Sequence, residues 1–261
     1  MNLDGPALPL LLVGGVLLLI GLGVMLGARK NLARRRRILD TPTTKIAQAP
    51  ASGLIEVDGV IAPSEQGAFQ APFSGRWAVW AKVSVEEHRG SGKNARWVTI
   101  LSEVAERAFL VDDRSGEIAR VMPEGANVIL ETQRVASSGT FQDAPPHLAG
   151  FLASRGISTQ GWLFNKALRY QEQLLMPGDH LYAIGPCRRD ASGQQGAFRD
   201  GPQGQLVLFA MPGDVRQELI LTNKTEAQLV SSMLVPFIIG IVAAGLGGAL
   251  AVGGLIAGFA G

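Results

Sequence analysis

The sequence predicts a mainly β, α+β protein: a compact β-rich soluble domain with a helical insertion, flanked by two transmembrane helices. Three observations carry that expectation. Both ends are long apolar stretches without a charge. The middle alternates apolar and polar residues between glycine-rich turns. One short segment of that middle repeats its apolar residues at helical spacing, behind two prolines.

The first predicted span covers residues 7–27. Ala7 to Leu26 reads ALPLLLVGGVLLLIGLGVML with no charge, a length that matches a hydrocarbon core of roughly 30 Å. A cleaved signal peptide would need positive residues before a shorter apolar core, and here only Asp4 precedes it. Residues 1–6 then form a short extracytoplasmic tail. Residues 28–40 form a basic juxtamembrane segment, holding Arg29, Lys30, Arg34, Arg35, Arg36 and Arg37. The positive-inside rule puts this side, and the soluble domain with it, in the cytoplasm. The same lipid-facing cluster can pair with anionic headgroups, at about 1 kcal/mol per charge.

The second uncharged stretch begins near Leu229, and residues 233–257 make the second span. Both termini are then outside. Gly23 with Gly27, and Gly254 with Gly258, form GxxxG pairs that let backbones approach closely. The glycine-rich spans are expected to pack on each other or on another copy of the chain.

The predicted soluble domain covers residues 41–228. Strand signals occur at Gly53–Ile61, Trp77–Val85, Trp97–Val104, His180–Gly185, Gln205–Met211 and Glu218–Thr222. Glu86–Ala95 reads as a polar loop, and Ala108–Val121 as a hairpin turning at DDRSGE. The helix starts with Asp143 as its cap and Pro145 and Pro146 in its first turn. Leu148, Phe151 and Leu152 share one face, and Gly156 ends it. LFNKALRYQEQLLMPGD follows as an extended link. Trp77, Trp80, Trp97, Phe109, Trp162 and Phe164 are dispersed, as core or interface residues are, and offer no stacking platform for nucleic acid.

The net charge of +2 hides the basic cluster, which holds six of the 24 Lys and Arg. Without it the remainder is slightly acidic, which again speaks against nucleic acid as a partner. One cysteine, Cys187, and three histidines, His88, His147 and His180, lie scattered. No zinc-held fold is expected from them, and no metal or other cofactor. Gly90-Ser91-Gly92-Lys93 resembles the end of a phosphate loop, but Glu87 replaces its first glycine and Asn94 its Ser or Thr. A hairpin tip is the better reading. Asp112 and Asp113 fit a turn, where Asp bonds the backbone. Glu86 and Glu87 are neighbours in a strand, so they point to opposite faces. A Cys187–His180 nucleophile is the one catalytic pair to weigh, since Arg188 and Arg189 could lower the thiol pKa. No catalytic residue is assigned.

Several segments occur in a familiar order: TPTTKIAQAPASGLIEVDGVIAP (Thr41–Pro63), QAPFSGRWAVWAKVSVEEH (Gln70–His88), the isolated Trp97, AFLVDDRSGEIARVMPEGA (Ala108–Ala126) and RYQEQLLMPGDHLYAIGPC (Arg169–Cys187). This order resembles the GIDE, or "beside a membrane" (BAM), domain of the mitochondrial E3 ubiquitin ligase family. In those ligases a RING domain follows the second span. Here the chain stops at Gly261 without RING cysteines, as in a RING-less, prokaryotic relative. The resemblance implies a membrane-anchored interaction or scaffold module with an unidentified protein partner and no catalysis of its own. Its alternative is a component of a ubiquitin-ligase-like pathway acting with a partner in trans. Two surfaces are the candidates for contact: Pro72, Ser74, Gly75 and Arg76, and Arg169, Tyr170 and Glu172 leading to Pro177, Gly178 and Asp179. Their competing reading is structural, with Gly and Pro setting turns and Glu172 or Asp179 paired to an arginine.

Overall fold

The computed structural model describes residues 7–139, 141–161, 165–190, 204–211, 213 and 217–260. The chain divides into a helical unit, drawn from Met1–Pro42 and Thr225–Gly261, and a β unit, Thr43–Lys224. The predicted tail 1–6 and the aromatic pair Trp162 and Phe164 lie outside the described residues.

In the helical unit, α1 (Ala7–Gly27) runs into α2 (Arg29–Asp40). Ala28 between them is itself helical, and its N–H bonds Val24 O while its carbonyl takes Leu32 N–H. The basic segment is therefore a rigid extension of the first span. Its arginines spread around that helix: Arg36 is exposed, whereas Arg34, Arg35 and Arg37 are half-buried. The partner helix, α4 (Glu226–Ala260), runs antiparallel to α1 and carries Pro236 inside it.

Small residues set the contact between these helices. Ala7, Gly14 and Gly21 of α1, with Ala28 at its junction with α2, recur at heptad spacing and are buried. They meet Gly240, Gly247 and Gly254 of α4, and a Cβ on Gly14 would lie 2.5 Å from Ala251 N. With so little between the backbones, dispersion acts along the whole seam. The two apolar helices pack on each other, but not through the first predicted GxxxG pair, since Gly23 and Gly27 face open space. The outer surface is lined by exposed Leu12, Val16, Leu19, Ile20, Val242, Leu246 and Ile256. Both helices are long and apolar enough to cross a membrane, and only a small share of each apolar window is buried within the protein.

Among the described residues the β unit contains two large sheets and one two-stranded hairpin. In the first, β1 (Ser52–Pro63), β6 (Phe109–Asp112), β7 (Ile118–Val121), β12 (Gln205–Leu208) and β11 (His180–Asp190) follow one another, and β11 pairs back to β1. This closes a five-stranded barrel. The β7–β12 contact is parallel and every other contact of the ring is antiparallel. In chain order the ring reads 1-2-3-5-4, a Greek-key barrel of the OB type. Ile55, Val57, Phe109, Val111, Leu181, Ala183 and Leu208 fill it. Pro186 explains a change of neighbour along β11, which pairs with β13 (Ile220–Thr222) before it and β12 after it. Proline has no N–H to give on that edge. β13 in turn pairs with β8 (Asn127–Val128).

The second sheet is built from two excursions out of the barrel. Its order is β5 (Arg96–Glu106), β4 (Trp80–Arg89), β10 (Leu168–Leu175) and β9 (Gln133–Ser138), all antiparallel. A short hairpin, β2 (Phe69–Gln70) with β3 (Trp77–Ala78), precedes β4. One face of this sheet is covered by α3 (Pro146–Ala153), whose Leu148 and Leu152 are fully buried with Val83, Val85, Leu168 and Tyr170. The helix has no side-chain cap. Asp143 instead accepts a bond from Asn165 Nδ2 at 2.6 Å, and Pro145 stands at the cap position.

Two expectations change. The predicted loop after Val85 is still strand as far as Arg89, so β4 and β5 form a long hairpin whose tip is Gly90–Ala95. The predicted link LFNKALRYQEQLLMPGD contains β10, an inner strand. Glu172 conceals it, a carboxylate at an inward position where alternation calls for an apolar residue.

Candidate protein-interaction surface

The first predicted surface is a clamped turn. Phe73 is 2% exposed and packs edge-on against Phe151 and Tyr170, with ring centroids 5.2 and 5.7 Å away. Burial of Phe73 forces its backbone polar groups to find partners indoors. Its N–H donates to Glu172 Oε1 at 3.1 Å, and its carbonyl lies 3.1 Å from His147 Nε2. The turn closes through Gly75 N–H to Ala71 O, with Gly75 at φ +68°. Ser74, Gly75 and Arg76 are left exposed at its tip, and Pro72 is half-buried.

The second predicted surface is divided by strand alternation. Tyr170 and Glu172 point into the core beneath α3, at 0% and 2% exposure. Arg169 points the other way. It pairs with Glu86 and stacks over the Trp97 ring at 4.3 Å. Pro177, Gly178 and Asp179 make the tight turn into β11. Asp179 Oδ2 accepts from Met176 N–H, and Gly178 N–H donates to Ile61 O, so this turn is pinned to β1. Glu172 and Asp179 each take a backbone N–H, where an arginine was expected.

The other side of the four-stranded sheet forms a surface that Arg169 marks, with the buried Glu172 reaching only the wall of its cleft. Three cross-strand rows face outward. They are Thr99–Glu86–Arg169–Ser137, Ser102–Ser84–Gln171–Arg134, and Val104–Lys82–Gln173 with Thr132 beside it. A cleft of about 170 Å³ opens among Lys82, Ser84, Thr99, Ser102, Thr132, Glu172 and Gln173. Gln173 Nε2 is fixed by Leu130 O and Thr132 Oγ1, and Ser84 Oγ donates to Gln171 Oε1. The signal for this face was present in WAKVSVEEH, where Lys82, Ser84, Glu86 and His88 alternate with Val83 and Val85.

The Cys187–His180 pair is not assembled. An odd separation along β11 sends the two side chains to opposite faces, with about 23 Å of strand between them. Cys187 is 2% exposed in the barrel core, and burial pushes its thiol upward against the weaker pull of Arg189. His180 Nε2 lies 2.8 Å from Asp58 Oδ1 at the surface. The other titratable groups hold structure. Asp113 accepts from Ile46 N–H and Ser115 N–H. Burial opposes its charge, yet these bonds and Lys45 hold its carboxyl below the ordinary value. Asp112 caps Arg114 N–H in the same turn. Glu86 and Glu87 do diverge, the latter toward Arg89 and Lys166. Among the described residues no group of three His, Cys, Asp or Glu could hold a metal ion.

The GIDE family model, described as E3 ubiquitin ligase, matches residues 82–253, more than half of the chain. The chain belongs to the GIDE family. The matched region starts at Lys82 on the open sheet face and runs through most of α4. No curated protein matches the chain.

Proposed function

We propose that this chain is a membrane-anchored protein-interaction module with no catalytic activity of its own. The observation that carries the reading is the conjunction of two features. A hairpin of two apolar helices presents a lipid-compatible outer surface. A β unit has one sheet face covered by α3 and the other, among the described residues, left open with ordered polar groups. Positioned polar groups on a rigid sheet suit recognition. The chemistry of its thiol supports the same reading, because a buried cysteine with a raised pKa is a poor acceptor for a thioester-linked intermediate. One Cys and three His fall short of the close-spaced sets that zinc-held loops require. The Arg29–Arg37 cluster favours a cytoplasmic β unit.

The family description favours a second reading, in which the module serves ubiquitin transfer with a partner in trans. In-cell crosslinking of the full chain, then affinity purification and mass spectrometry, tests both. A defined protein recovered reproducibly is the expected result, and a conjugating enzyme or RING protein among the products selects the second reading. Recovery of lipid and the chain alone would overturn the module reading.

A further inference from the structure

We propose that the open face of the four-stranded sheet docks an extended, acidic protein segment, whose carboxylates pair with Lys82 and Arg134. The inference rests on the protein-interaction reading and names its partner chemistry. Among the described residues, no carboxylate pairs with Lys82 or Arg134. Glu86, the acid in the neighbouring row, is committed to Arg169. Glu106, farther along β5, lies beside Trp80 and Glu124. Two cations without a carboxylate partner thus stand among hydroxyl and amide groups and Val104, flanked by the Arg169–Glu86 pair on one side and Glu106 on the other.

The geometry sets the ligand's spacing. Lys82 and Arg134 are two strands apart and one row apart, which puts their Cα atoms about 12 Å from each other. An extended chain covers that distance in about four residues. Between them lie Ser84, Gln171 and Gln173, with Ser102 and Thr132 at the flanks. These groups can bond the intervening backbone or small polar side chains.

Charge and aromatic placement select a protein segment over a nucleic acid. Two cations make a weak electrostatic footprint for a polyanion. The exposed aromatic at the end of this face is Trp97, and Arg169 already occupies its ring at 4.3 Å. Among the described residues no free stacking platform remains on it.

The test uses the full chain in nanodiscs of neutral phosphatidylcholine. The probe is a fluorescein-labelled Ser/Thr peptide with two glutamates about four residues apart, read by anisotropy. Binding is expected, with Lys82→Gln and Arg134→Gln each weakening it about tenfold. The same peptide with glutamines should not bind. Lys93→Gln, the same charge change at the hairpin tip, should leave binding intact. The proposal is overturned if the acidic peptide fails to bind, or if Lys93→Gln weakens it equally. It is also overturned if Lys82 and Arg134 govern binding of an oligothymidylate or of anionic-lipid nanodiscs instead. Should crosslinking still recover a defined partner insensitive to both substitutions, the module reading stands and this face is not its site. Failure to recover any partner removes the module reading itself.

Discussion

Gly21 gives the sharpest test of the helical unit. A Cβ there would sit 2.4 Å from Ala244 N and 2.7 Å from Gly240 O. Both are backbone atoms of α4 and cannot swing aside. Ordinary Cβ contacts begin near 3.4 Å, so alanine alone would push the helices about 1 Å apart, and leucine farther. Overpacking of this kind costs roughly 1–3 kcal/mol. That corresponds to a loss of about 5- to 150-fold in the paired state. Gly23 is the matched control, with nothing within 4 Å of its Cβ position. The assay is bifunctional thiol crosslinking of Leu18→Cys with Gly248→Cys, in a Cys187→Ala background. Leu18 Cδ1 lies 3.8 Å from the Cβ position at Gly248, so the native hairpin should crosslink readily. Gly21→Leu should depress the yield sharply and Gly23→Leu should not. Equal effects from the two, or full crosslinking in Gly21→Leu, would refute the heptad seam.

Three further outcomes follow from the β unit. Phe73→Ala should destabilise it by about 3–5 kcal/mol in urea, because the ring fills the space among Phe151, Tyr170 and α3. Asp113→Asn should cost roughly 1–3 kcal/mol at pH 7 by weakening the bonds to Ile46 and Ser115 N–H. Since the folded pKa of Asp113 is depressed below 3.8, its contribution is present above that value and is lost as pH falls through the folded pKa. Denaturation followed from neutral to strongly acidic pH should therefore show a smaller acid loss in Asp113→Asn than in the parent. Cys187 should react with an aromatic disulfide reagent only after unfolding; rapid labelling at pH 7 would contradict its burial in the barrel.

Legibility from sequence followed the range of the forces involved. The two long helices could be read because membrane thickness sets a length that composition alone satisfies. Strands such as β1 and the β6–β7 hairpin could be read because their alternation and turn residues are local. β10 could not. Its Glu172 is inward-facing for the sake of the Phe73 amide, a partner ninety-nine residues away. The helix cap was misplaced for a similar reason, since Asp143 is engaged by Asn165. The closure of the barrel depends on the pairing of β11 with β1, β12 and β13, which no local pattern encodes. In α1 the GxxxG spacing was the wrong period to follow. An antiparallel pair in contact over its length favours small residues every seven, as at Gly14 and Gly21, and these were hidden among other glycines.

The candidate site was legible only in part. The Ser74–Arg76 tip is exposed and Arg169 is half-buried against Glu86 and Trp97, whereas Tyr170 and Glu172 belong to the core. Proximity along the chain had grouped residues that strand alternation separates. Lys82 and Arg134 escaped notice for the opposite reason. They lie on strands far apart in sequence and become neighbours only through β10, which the alternation of RYQEQLL did not announce.

The central claim is that the chain binds and does not catalyse. Its most direct test is a reconstituted transfer reaction. The full chain in nanodiscs is mixed with ubiquitin, activating enzyme, a panel of conjugating enzymes and ATP, and conjugates are followed by immunoblotting. The account predicts the same conjugate pattern with the chain as with empty nanodiscs. Ubiquitin chains that form only when this chain is present, with no RING protein added, would contradict it.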